Sequence, residues 1–239
     1  MMIRLAKPVV LSLFFIVLMC SKSYCQEPLT LKNTLTLATG EIIELPIPPG
    51  FFRVDGVSEE VDKYYAIGTI GNETIENMAL YISDISNWSD KLLKFFEDSK
   101  YRPVGESGFL SPVFPPFDMI EVDACDRAGK FRKKYNASVE EILEIKKRNG
   151  LSQNKSNYAF GNIPETLLIS CRTPVHPDSD SNYAYYVATT YLKGVFIDFE
   201  YSPRGREMHT PSKEEVKAQE EMLIIWLNDI RRTCLAVHP

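Results

Sequence analysis

Beyond its first residues the chain has no stretch approaching the roughly twenty apolar residues a membrane-crossing helix requires, which excludes a polytopic membrane protein. Basic charge is not in excess: 27 Lys+Arg stand against 32 Asp+Glu, a net charge of −5. Nucleic acid is therefore not an expected partner, since its phosphates demand a basic footprint. Histidine is reduced to three residues, and no two Cys or His fall at ligand spacing, which argues against a metal centre. Internal repeats, low-complexity tracts and Gly/Ser linkers are missing as well. What is present is 239 residues, 44% hydrophobic and 25% charged, with 15 Pro and 12 Gly, the composition of a globular chain of one domain.

The N-terminus reads as an address. Arg4 and Lys7 precede an apolar run from Val9 to Cys20, broken only by Ser12 and followed by a polar stretch. This is the pattern of a secretory signal peptide, too short to span a hydrocarbon core of about 30 Å. Small side chains at Ser23 and Cys25 place the expected cut before Gln26, so residues 1–25 form the signal and 26–239 a single domain. The expected location is exported, periplasmic or secreted. Lipidation is disfavoured, because Leu18-Met19 precede Cys20 and Tyr24 precedes Cys25. The remaining chain carries 24 Lys+Arg against 32 Asp+Glu, a net charge of −8, and no transmembrane helix. It keeps Cys125, Cys171 and Cys234, an odd number for an oxidising compartment. One disulfide and one free thiol is the simplest expectation, three unpaired buried thiols the alternative. Cys171 with Cys234 is the favoured pair, because closing that loop would contribute about 4 kcal/mol.

Hydrophobic periodicity then predicts the elements. A hairpin turns at Thr39-Gly40 and stops at Pro46-Ile47-Pro48-Pro49-Gly50. Ser58-Glu59-Glu60 opens a short helix, Met78 to Ile85 alternates as a strand, and Asn87 or Ser89 caps a second helix to about Glu97. Tyr101 to Phe117 carries too many Pro and Gly for a helix or central strand, and Met119 to Val122 pairs briefly. Ser138 with Glu141 is a capping box for a helix that Gly150 ends. Strands follow over Leu167–Arg172, Tyr183–Lys193 and Val195–Tyr201, and Ser212 with Glu215 opens a terminal helix to about Arg232. This order predicts an α+β fold: one domain, a mostly antiparallel sheet layered with helices, α/β/α sandwich-like.

Catalytic motifs fail on inspection. Ser152-Gln153-Asn154-Lys155 matches S-x-x-K but lies in a polar loop without its partner triplets, and Gly105-Glu106-Ser107-Gly108-Phe109 breaks the nucleophile-elbow pattern at Phe109. Asp178 to Asn182 begins like a calcium loop, but Tyr183 stands where Gly is required and Thr189 where an acid is. Four N-x-[ST] sequons begin at Asn72, Asn87, Asn136 and Asn154. The feature that stands out is Phe109 to Phe117 (FLSPVFPPF), where Phe109, Phe114 and Phe117 are stiffened by prolines. Such a loop either caps the sheet or presents a surface that loses little entropy on binding a partner.

The signal, the stretch Leu45 to Phe52 (LPIPPGFF), the short helix after it and the closing strand-strand-helix with Trp226 resemble small exported bacterial proteins of Mog1/PsbP-like layout. That resemblance implies a binding, assembly or accessory factor with no cofactor, and transfers no functional residue. The resulting expectation is an exported, non-catalytic protein that binds another envelope or extracellular protein through Phe109, Phe114 and Phe117. The alternative is a hydrolase or small-ligand carrier whose site gathers His176, His209, Asp198 and Glu200.

Overall fold

The expected hairpin opens the structure: β1 (Thr34–Thr36) pairs antiparallel with β2 (Ile42–Glu44), and Gly40 supplies the positive φ of 82° in the turn. The computed structural model describes residues 33–68, 77–100, 115–152, 157–174, 182–204 and 210–236, all within the compact unit Lys32–Pro239. The expected signal, residues 1–25, lies outside the described residues. After the hairpin come β3 (Phe52–Arg53), α1 (Glu59–Gly68), β4 (Met78–Ile82), α2 (Trp88–Lys100) and β5 (Met119–Asp123). Next follow α3 (Arg127–Tyr135), α4 (Val139–Ser152), β6 (Tyr158–Ala159), β7 (Thr166–Pro174), β8 (Asn182–Leu192), β9 (Val195–Ser202) and α5 (Lys213–Leu235). Seven strands form one sheet in the order β3-β4-β5-β9-β8-β7-β6, every neighbour antiparallel. The fold is α+β, as the alternation of elements predicts.

Strand side chains alternate between faces, and here each face has its own cover. Tyr81, Ile120, Val122, Tyr186, Ile197 and Phe199 share a cluster with Trp226, Leu227 and Ile230 of α5 and with Leu35 and Ile43 of the hairpin. Trp226 is its centre, edge-on to Tyr81 at 5.7 Å and to Phe199 at 5.4 Å, with Nε1 donating to Pro46 O at 2.6 Å. On the opposite face Phe196 is buried with Ala128 of α3 and Ile142 of α4. The predicted division of β9 therefore holds: Val195, Ile197, Phe199 and Tyr201 are buried, whereas Asp198 and Glu200 on the other face reach solvent. Lys193 and Gly194 turn β8 into β9 with φ of 51° and 82°, as a tight hairpin turn demands.

A buried ion pair ties the first sheet edge together. Arg53 donates to both carboxylate oxygens of Asp55 at 2.8 and 2.9 Å and to Thr34 O at 2.7 Å, while Asp55 accepts from Leu80 N. One pair thus fastens β1, β3 and β4.

Four differences from the sequence reading have physical causes. Gly150 does not end its helix; it lies inside α4, where a Cβ would come within 2.6 Å of Ile169 Cδ1, so its value is close approach to β7. β5 is no brief pairing but a central strand between β4 and β9. α3 lacks an apolar stripe and so escapes a reading by periodicity. The fourth concerns the thiols: Cys125, Cys171 and Cys234 are all buried, and no two of them are joined in a disulfide. Cys171 shares its side of β7 with Ile169, which faces α4, whereas Cys234 lies in the α5 cluster on the other side. The sheet separates them, so the expected Cys171–Cys234 bond does not form.

Candidate docking surface

The surface grows from Asp126, which takes a left-handed conformation (φ 54°) just ahead of α3. Its side chain does not cap the helix; Oδ1 accepts instead from Phe196 N on β9 at 2.9 Å. Gly129 makes room for this carboxylate, since a Cβ there would lie 2.1 Å from both oxygens. Ala128 and Gly129 are the buried residues of α3, so the helix approaches the sheet by its smallest side chains. At its other end Asn136, φ 49°, donates its N–H to Arg132 O, and Ser138 then opens α4. There Glu141 N donates to Ser138 Oγ at 3.1 Å and Ser138 N to Glu141 Oε2 at 2.7 Å, the capping box expected from the sequence.

This seat leaves the aromatic residues of α3 outside. Arg132 takes the inward place beside Tyr191, its Nη2 donating to the hydroxyl at 3.4 Å and its guanidinium lying over the ring. Phe131 and Tyr135, four residues apart and therefore on one helical row, hold each other with ring centroids 4.5 Å apart. They remain 45% and 58% exposed. Beside them runs a groove of about 590 Å³ between α3 and α4, lined by Phe131, Tyr135, Ala137 and Ile145 and bordered by Glu140, Glu144 and Arg148. Scattered exposed apolar residues such as Ile42 and Ile225 need no explanation. Two aromatic rings in mutual contact beside a groove do, because turning them inward would have removed apolar area from water. The basic last turn of α3, Arg132-Lys133-Lys134, suits the helix dipole and explains the lysines without explaining the rings.

A second, polar cavity of about 330 Å³ lies at the end of the sheet, with Ser83, Asp84, Asp118, Tyr183, Arg204 and Glu215 among its lining. Its carboxylates are committed locally: Asp84 accepts from Ser86, Asp118 from Arg204 N, and Glu215 from Ser212 N. On the Phe196 face of the sheet, Glu121 and Glu200 stand opposite each other in register across β5 and β9. Desolvation on that face, then the Glu200 charge, pushes the Glu121 carboxyl up to about 7, and desolvation raises Glu200 too.

Of the residues proposed from sequence for chemistry, Asp198 accepts from Lys146 Nζ and Thr189 Oγ1, both at 2.5 Å. Glu200 shares its face of β9 and stands in register with Glu121, whose carboxyl its charge opposes, and His176 and His209 lie outside the described residues. Among the described residues no group of three His, Cys, Asp or Glu is placed to hold a metal, and no helix is long and apolar enough to cross a membrane. Of the proposed partner contacts, Phe117 is 1% exposed with the Lys91 ammonium 5.3 Å from its ring centre, so it is a packing residue. Phe109 and Phe114 lie outside the described residues. Sequence reasoning misses the Phe131–Tyr135 pair. The signal available for it is aromatic spacing of four inside a basic run bounded by Asp126 and Asn136, turn formers at both ends.

No protein-family model matches the chain, and no curated protein does. Two solved structures are similar. The Ran-binding protein Mog1p of Saccharomyces cerevisiae is 14% identical, with a TM-score of 0.38 over 84% of this chain and 92% of that one. A point mutant of the protein Mog1 is 13% identical, with a TM-score of 0.35 over the same shares. The similar yeast protein is described as Ran-binding, and the expected periplasmic or secreted location is not carried forward.

Proposed function

We propose that this chain is a non-catalytic protein-binding domain that takes an apolar anchor of a partner protein into the α3–α4 groove. The observation that carries this is the exposed Phe131–Tyr135 pair beside the groove, held on a helix whose inward face is spent on Ala128 and Gly129. Aromatic residues at such positions supply large contact area at small entropic cost, the usual profile of a binding hot spot. The described acids give no support to a hydrolase, since Asp198 is held by Lys146 and Thr189 in a structural bond. Binding of Ran, printed for the similar yeast protein, is of the same class, a protein partner, but the reading rests on the groove.

Site-specific photocross-linking tests it. A benzoylphenylalanine at position 131 or 135 should give a discrete protein adduct in extract of the native host, and the same probe at the exposed Ile225 should not. Equal labelling at all three positions, or none at 131 and 135, removes the groove from the proposal. Phe109 and Phe114 stay proposed as additional contacts on the sequence argument alone. Their alanine variants should weaken capture of the same adduct partner, and unchanged capture retires them.

A further inference from the structure

Charge differs between the two helices that border the groove. Helical spacing puts Arg127, Phe131 and Tyr135 on one row of α3 and Lys130 and Lys134 on the next row outward. The helix contains five basic residues and no acid, in a chain whose net charge is −5. Among the described residues no acid pairs with Lys130 or Lys133, and Lys134 lies 5.2 Å from the centre of the Tyr135 ring. The opposite rim is acidic over the first turns of α4 and ends on Arg148. Glu140 and Glu144 form a row on α4 with Glu141 beside them, all three lining the groove. Hydrogen bonds from its own backbone N–H and from Ser138 hold the Glu140 carboxyl below the usual carboxylate range. Glu144 is only loosely held, 3.9 Å from Lys147 and 3.8 Å from Arg148.

We infer that the groove recognises a protein segment of split charge: an apolar anchor with acidic residues on its α3 side and basic residues on its α4 side. This rests on the docking reading above and names the partner that reading leaves open. A uniformly anionic surface, a nucleic acid or an acidic membrane, would be drawn to Lys130 and Lys134 but repelled by Glu140 and Glu144. A uniformly basic segment meets the reverse. Only a segment of both signs satisfies both rims, and juxtaposed like charges reject the others and fix the direction in which the segment lies. Between the rims Phe131 and Tyr135 provide contact area that is indifferent to sign.

The experiment is selection of a random sixteen-residue peptide display library against the full chain. Expected is a consensus with an aromatic or aliphatic anchor, acids on one flank and Lys or Arg on the other. The double variant Lys130→Glu, Lys134→Glu should lose the acidic flank and bind the original consensus about tenfold more weakly. Glu140→Lys with Glu144→Lys should lose the basic flank, and circular dichroism confirms that each variant is folded. A consensus of one sign, or an uncharged one, overturns the split-charge inference while leaving the docking reading in place, provided Phe131→Ser with Tyr135→Ser abolishes it. If the aromatic variant returns the same consensus, or if wild type enriches nothing, the docking reading fails as well. Co-sedimentation of wild type with phosphatidylcholine–phosphatidylserine vesicles would overturn the inference in favour of a membrane surface.

Discussion

At the residue scale, the decisive groups are the buried Arg53–Asp55 pair and the Glu121 carboxyl, which faces Glu200 across two strands. Asp55 neutralises Arg53 and accepts from Leu80 N, so Asp55→Ala would leave a guanidinium buried at the sheet edge with its counter-charge gone. A loss of about 3–5 kcal/mol is expected by urea denaturation, and a loss below about 1 kcal/mol would show that the pair is not a fastening. Glu121 works in the opposite sense. Its carboxyl is raised to about 7 in the folded protein from 4.5, so the native state holds the proton more tightly than the unfolded chain does. The stabilising contribution of the protonated form is complete below about 4.5 and is lost as pH rises through about 7. Glu121→Gln should remove this fall and stabilise the protein above pH 7 by about 1–3 kcal/mol. Parallel pH profiles for wild type and variant would refute the assignment.

At the scale of elements, α3 and α4 differ in what specifies them. α4 is written locally: its capping box, first-turn acids Glu140 and Glu141 and apolar Ile142 all agree. Ser138→Ala should therefore cost about 1 kcal/mol, read from thermal unfolding, with little effect elsewhere. α3 is specified by contact. Its N-terminal Asp126 spends its side chain on Phe196 N, and no apolar stripe marks its inward face, because Ala128 and Gly129 do the packing. Gly129→Ala should be the more damaging change in spite of alanine's better helix propensity. The new methyl would displace the Asp126 carboxylate, break its bond to β9 and tilt α3 away, at about 2 kcal/mol or more. If Gly129→Ala proves neutral, α3 is not seated as described.

At the scale of the whole molecule, the three thiols give a direct check. Cys125, Cys171 and Cys234 should all be alkylated by iodoacetamide after denaturation without reductant, and dithiothreitol should leave the melting temperature unchanged. Modification of only one would restore a disulfide. Sequence by itself determined what depends on neighbours in the chain: the Gly40 and Lys193-Gly194 turns, the two Ser–Glu capping boxes, the alternation of β9 and the apolar row of α5 through Leu223, Trp226, Leu227 and Ile230. These signals sufficed for the α+β class, because turn stereochemistry, helix ends and burial period are local properties. Tertiary structure alone decided the strand order, the separation of Cys171 from Cys234 by the sheet and the burial of Phe117 under Lys91. It also decided the exposure of Phe131 and Tyr135. Which side of an element meets solvent depends on what lies across from it, and a helix that packs by Ala128 and Gly129 gives no periodic sign of the face it turns outward.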